Sequence, residues 1–226
     1  MASRRKEKRT ERSKLDATPP WDTRIREEPP PTQGPYDERD APQDDVARVD
    51  LGALRVPVGP GIDVRLEMNE AQQVIAVTLA GADGTMQLGV FAAPRNEGIW
   101  DEVRAEIASS MNAQRGGARE RPDGPFGVEL TGKVPGDGGA LVPVRFIGVD
   151  GPRWFLRAMF VGAVATEAAR AGRFEQALRQ VIVVRGSEPL PVRDPVPLQL
   201  PKELLTDQAE QADQAVQADQ ADADEG

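Results

Sequence analysis

From Arg48 onward apolar and polar residues alternate with period two, the spacing of half-buried strands. Leu54-Arg55-Val56-Pro57-Val58 reads as a short strand whose proline suits a sheet edge. Ile62, Val64, Leu66 and Met68 alternate with Asp63, Arg65 and Glu67 in a second. The apolar runs Val74 to Leu79 and Met86 to Ala92 flank Gly81-Ala82-Asp83-Gly84, whose Asp-Gly chemistry predicts a hairpin. The period then turns helical. Ile99, Val103 and Ile107 lie four apart, with Trp100 and Met111 widening the stripe. Asn96 is the predicted N-cap, acids follow in the first turn, and Arg115-Gly116-Gly117 supplies the stop.

A second round repeats this order. Phe126, Val128 and Leu130 alternate, Gly136-Asp137-Gly138-Gly139 turns the chain, and Leu141 to Val149 and Trp154 to Val161 flank a further Asp-Gly pair. Phe174, Ala177, Leu178 and Val181 keep helical spacing, with the helix predicted to start near Arg173 because Gly172 interrupts anything earlier. Val181 to Val184 is a continuous apolar run of strand length. Hairpins segregated from two helices predict an α+β fold of about 140–150 residues. Its antiparallel or mixed β-sheet would hold about seven to eight strands, with two helices packed on one face. Pro189 through Pro201 is expected to run extended along the surface.

Charge divides the chain into zones. Of the net −9, residues 1–14 carry +5, residues 15–43 carry −4, residues 44–201 carry −3 and residues 202–226 carry −7. Residues 1–43, a basic then proline-rich arm with seven prolines and few aliphatics, cannot bury enough surface to offset ordering entropy and are expected to be disordered. Within this arm Trp21 and Tyr36 either pack loosely on the domain or anchor a docking motif. Residues 44–201 form the expected single α+β domain. In residues 202–226, Asp207, Asp213 and Asp219 recur every six residues, each followed by Gln-Ala. That hexad leaves no apolar seam, so a disordered acidic tail is expected, which either serves solubility alone or mimics nucleic-acid phosphate or shields a basic surface.

Composition narrows the chemistry. With no cysteine and no histidine, a disulfide framework, thiolate nucleophile, Ser-His-Asp triad and imidazole metal ligand are excluded. No GxGxxG, GxxxxGK or GxSxG pattern occurs, and no catalytic, cofactor-binding or metal-binding set is assigned. No apolar run reaches the ~20 residues of a membrane span, nor does the basic start lead into a signal peptide, so a cytoplasmic chain without a membrane partner is expected. Glu97 and Asp101, four apart on the predicted helix beside Glu102, either hold Mg²⁺ or complement the helix dipole. Arg115, Arg119 and Arg121 form a basic loop, but the acidic balance argues against nucleic acid as a partner. Trp100 and Trp154 are core or pocket aromatics, and Arg153 and Arg157 beside them could offer a guanidinium to an anionic ligand.

Four segments carry a family likeness: Gly34 to Asp37, Val49 to Pro57, Phe91 to Val103 and Gly148 to Arg157. In these, over about residues 34–201, the chain resembles the actinobacterial domain of unknown function 3710. The resemblance implies no activity, cofactor or catalytic residue. The order of the closing elements is also loosely similar to the Mog1/PsbP-like fold of small binding modules. The function expected is a non-catalytic cytoplasmic module binding an unknown protein partner. The alternatives are a small-ligand or anion binder, or an enzyme, using arginine and carboxylates only, and weak nucleic-acid association through the basic N-terminal arm. No cofactor is expected, and the oligomeric state is open.

Overall fold

The computed structural model describes residues 33–201, apart from residues 71 and 72 and the side chain of Asp137. The arm through residue 32 with Trp21, and the acidic tail from residue 202, lie outside the described residues.

The alternating segments form a seven-stranded antiparallel sheet. Its strands are β4 (Asp63–Met68), β5 (Val74–Gly81), β6 (Gly84–Ala92), β7 (Arg119–Gly124), β8 (Gly127–Pro135), β9 (Leu141–Gly151) and β10 (Trp154–Gly162). They stand in the order β4-β5-β6-β10-β9-β8-β7. Both predicted hairpins are present: Gly81 pairs Gly84 across a two-residue turn, and Gly151 pairs Trp154. The sheet is thus two meanders joined where β6 meets β10, with α1 (Trp100–Ala113) carrying the chain from its centre to its far edge.

The fold is α+β, but two features depart from the expectation. First, a separate four-stranded sheet gathers β1 (Tyr36–Asp37), β2 (Arg48–Asp50), β3 (Leu54–Pro57) and β11 (Ile182–Val183) in the order β1-β11-β3-β2. Its strands are too short for periodicity to separate them from the main sheet. Pro57 is therefore not on an edge; it closes β3, between β11 and β2, opposite Arg48. Second, the helices lie on opposite faces of the large sheet. Along β10, Trp154, Leu156, Ala158 and Phe160 join one core cluster, with Phe174 and Leu178 of α3 (Ala168–Arg179). Phe155, Met159 and Val161 face the other cluster, with Ile99, Trp100 and Met111 of the α1 segment. Both faces of the central strands are apolar, so each can bury a helix.

The sequence of β9 explains how α1 is seated. Gly148 and Asp150 are two apart and share a face. The indole of Trp100 lies flat on Gly148, where any Cβ would stand 2.2 Å from the ring. Asp150 then accepts hydrogen bonds from the N–H groups of Ile99 (2.8 Å) and Trp100 (3.3 Å). The N-cap is Ile99, whose own side chain cannot cap, rather than Asn96; the cap is supplied from across the sheet. At the other end the Gly116 N–H donates to the Met111 carbonyl (2.7 Å), and Arg115 takes the left-handed conformation at φ 62°.

Three further expectations are corrected. The predicted helix near Arg173 begins at Ala168, with a short α2 (Ala163–Thr166) before it. Gly172 points to open space, and its helix-propensity cost is outweighed by burial of Ala171, Phe174, Ala177 and Leu178. Arg119 and Arg121 belong not to a loop but to β7, an edge strand with exposed charges, Pro122 and a register shift after Arg121. These features block further strand addition, and with no apolar residue they leave no strand signal. The proline-rich strap of residues 189–201 turns at Val192 and Arg193 and is not superficial. Val196 and Leu198 are buried, and the N–H groups of Val196 and Gln199 donate to the carbonyls of Val90 (2.9 Å) and Leu51 (2.8 Å).

Residues 34–40, expected in the disordered arm, are folded. Tyr36 pairs in parallel with Ile182, and Asp37 with Val183. Asp37 is buried and accepts a 2.8 Å hydrogen bond from Trp154 Nε1. The long sequence separation, 117 residues, hides this partnership from any local reading.

Candidate functional site

The residues singled out from sequence do not converge. Tyr36 is half-buried in β1. Glu97 is exposed ahead of α1, so it shares no helix face with Asp101. Asp101 instead pairs with Arg104 (2.7 Å), which also bonds Glu120 (2.8 Å) and lies over Trp100, 5.6 Å from the ring centre. The Mg²⁺ reading of Glu97 and Asp101 loses its geometry, and no group of three acids among the described residues is placed to hold a metal. Trp100 and Trp154 are both sealed in the core, with Trp100 Nε1 donating to the Val128 carbonyl (2.7 Å). Arg153 occupies the β9–β10 turn at φ 69°, where its carbonyl accepts from Arg185 Nε (3.1 Å). Arg157 is half-buried on the Phe91 ring, 5.2 Å from its centre, and burial lowers its pKa.

An arrangement with room for a ligand lies elsewhere, along edge strand β4. A cleft of about 630 Å³ opens between the turn at Gly61, the β5–β6 turn and the N-terminal half of α3. Asp63 and Arg65 come to it from β4, Asp83 from the turn, and Arg170, Arg173 and Phe174 from α3. The chain builds this wall for local reasons. Phe174 must point into the core, where it meets Phe160 edge-on at 6.4 Å; helical spacing then puts Arg170 and Arg173 at its rim.

The cationic groups differ in their partners. Arg170 is fixed by Asp83 (2.7 Å) and Glu167 (2.6 Å), and these carboxylates raise its pKa. Arg65 and Arg173 have neither ion pair nor hydrogen bond among the described residues. Gly61, at φ +78°, gives Arg173 its path: a Cβ there would stand 2.6 Å from Nη1. The cleft therefore presents two uncommitted guanidiniums and one anchored one, beside a single uncommitted carboxylate, Asp63.

Below the other half of α3 lies a buried ionic cluster. Glu129 of β8 and Arg145 of β9 are almost wholly inaccessible, with Arg145 Nη1 3.6 Å from Glu129. Arg145 Nη2 donates to Glu175 of α3 (2.8 Å), and its guanidinium lies 4.3 Å from the centre of Phe160. Neither oxygen of Glu129 has a hydrogen bond, and burial raises its pKa against the pull of Arg145 and Arg121. Sequence gave no sign of either group. Arg145 and Glu129 sit at inward positions of otherwise ordinary strands, and their pairing runs across two strands and a helix.

Among known proteins, the model of the family described as "Protein of unknown function (DUF3710)" matches residues 34–207. No curated protein matches. A solved structure with some likeness is the solution structure of cyanobacterial PsbP (CyanoP) from Synechocystis sp. PCC 6803. It is 12% identical, with a TM-score of 0.36 over 61% of this chain and 92% of that one. No helix among the described residues is long and apolar enough to cross a membrane.

Proposed function

The chain belongs to the DUF3710 family of proteins of unknown function, and we propose that it is a non-catalytic cytoplasmic module that binds a protein partner through the arginine cleft on β4 and α3. The observation that carries this reading is the pair of uncommitted guanidiniums, Arg65 and Arg173, in a cleft shaped by Gly61 and floored by Phe174. Arginine forks left without an internal carboxylate suit a partner's anionic group.

A second reading, a small-anion binder, uses the same arginines and is favoured by a volume within the range of small-ligand pockets. The experiment is affinity capture from native lysate with the full chain beside its Arg65→Glu/Arg173→Glu variant. A partner retained by the wild type and lost by the variant is the expected result. Partners recovered equally by both overturn the cleft's role, and repeated recovery of none overturns the protein-binding reading.

A further inference from the structure

The outer edge of β4 is open. The Asn69 N–H donates to the Gln73 carbonyl (2.9 Å) within the β4–β5 hairpin, and alternation then turns the N–H and C=O of Met68, Leu66 and Val64 away from β5. Among the described residues no strand pairs with them there. The opposite edge of the sheet, β7, is barred by Pro122 and a register shift, whereas β4 has no proline. Three exposed apolar side chains gather around β4: Met68 at its end, Ile75 in the bulge across from it, and Val58 just before the Gly59–Ile62 bridge.

Resting on the partner-binding reading above, we propose that the protein met by β4 is a second copy of this chain, paired edge to edge and antiparallel across a two-fold axis at Leu66. The charge pattern carries this choice. Val64 and Leu66 pack toward the core cluster under α3, so Asp63, Arg65 and Glu67 share the other face. None of the three has an ion pair among the described residues; the Glu67 carboxylate accepts from two neutral groups, the Thr78 hydroxyl and Gln87 Nε2 (2.6 Å). A strand face that reads negative, positive, negative complements itself when two copies run antiparallel. About an axis at Leu66, Arg65 of each copy lies opposite Glu67 of the other, giving the pair twice. On the core-side face Val64 lies opposite Met68 and Leu66 opposite itself, which covers the exposed methionine. An axis at Val64 would pair Asp63 with Arg65, but it needs Ile62 to meet Leu66, and the Ile62 N–H already donates to Gly59 on that side (3.4 Å).

Sedimentation equilibrium of the full chain over a range of concentrations tests this. A monomer–dimer equilibrium is expected, loosened by salt. Arg65→Glu and Glu67→Arg, each alone, turn both cross-strand pairs from attraction to repulsion and should weaken the dimer about tenfold or more. Mixing the two variants should restore association as a heterodimer, since every pair is then again of opposite sign. Leu66→Pro removes an outward N–H at the axis, a substitution that an edge strand accommodates, and should be a folded monomer by circular dichroism. It keeps the test decisive if Glu67→Arg, deprived of its bonds to Thr78 and Gln87, does not fold. A chain monomeric at every concentration, or a dimer indifferent to Arg65→Glu and Leu66→Pro, overturns the proposal. So does a mixture of the two folded charge variants that associates no better than either alone. A monomeric chain that still captures another protein through Arg65 and Arg173 overturns self-pairing and leaves the partner-binding reading standing.

Discussion

Glu129 is a carboxylate with no accessible surface and no hydrogen-bond donor on either oxygen. Burial raises its pKa above the ordinary 4.5, so the folded protein holds this proton more tightly than the unfolded chain. The stability this group lends is complete below the unfolded value and is lost as pH rises through the folded one. Glu129→Gln, which keeps the shape without the charge, should therefore change little at pH 4. It should gain on the wild type as pH climbs, reaching about 1 kcal/mol near neutrality. Thermal melts of both proteins from pH 4 to 8 check this; a gap that narrows with rising pH contradicts it. Asp37 gives the opposite case, a buried acceptor that is satisfied. Asp37→Ala leaves Trp154 Nε1 without a partner in the core and should cost about 1–3 kcal/mol, while Asp37→Asn, which still accepts, should recover most of it. Urea denaturation of the three proteins separates the hydrogen bond from the charge.

At the scale of elements, what could be read in advance depended on how far apart the partners are. The β5–β6 and β9–β10 hairpins were legible because their alternation and Asp-Gly turns lie within one short stretch. Helix α1 was legible as a stripe, yet its cap was not, because Asp150 lies fifty residues beyond the helix start. Asp150→Ala should destabilise the protein by about 1 kcal/mol, and Asn96→Ala should not. Equilibrium unfolding of both variants decides between a cap from across the sheet and a local one. β7 escaped notice because an edge strand guarded by charge and proline carries none of the apolar signal that marks strands. The cleft was illegible for the same reason as the cap. Arg65 and Arg173 are 108 positions apart in sequence, and only the folded β4 edge with α3 beside it lets them border one cleft.

For the whole molecule, the strap touches both sheets, which also share one core cluster. Its backbone reaches Leu51 beside the small sheet and Val90 in the large one, and it buries Val196 and Leu198. Ending the chain after Leu190 would expose apolar surface on both sheets, at a cost of roughly 3–6 kcal/mol for those two side chains alone. The shortened chain should melt well below the full one and bind a hydrophobic dye, as calorimetry and dye fluorescence would report; an unchanged melting temperature would show the strap to be ornamental. This is why a proline-rich stretch, ordinarily a mark of loose chain, is here part of the packed interior.

The parallel pairing of Tyr36 with Ile182 also governs when the molecule can finish folding. During synthesis from the N-terminus, the first strand of the small sheet waits for a partner about 146 positions later. Until that residue clears the ribosome, Asp37 cannot pair with Val183, though Trp154 is already made. Closure of the small sheet must then come after translation has passed β11, and the nascent chain carries an unpaired edge for nearly its whole length.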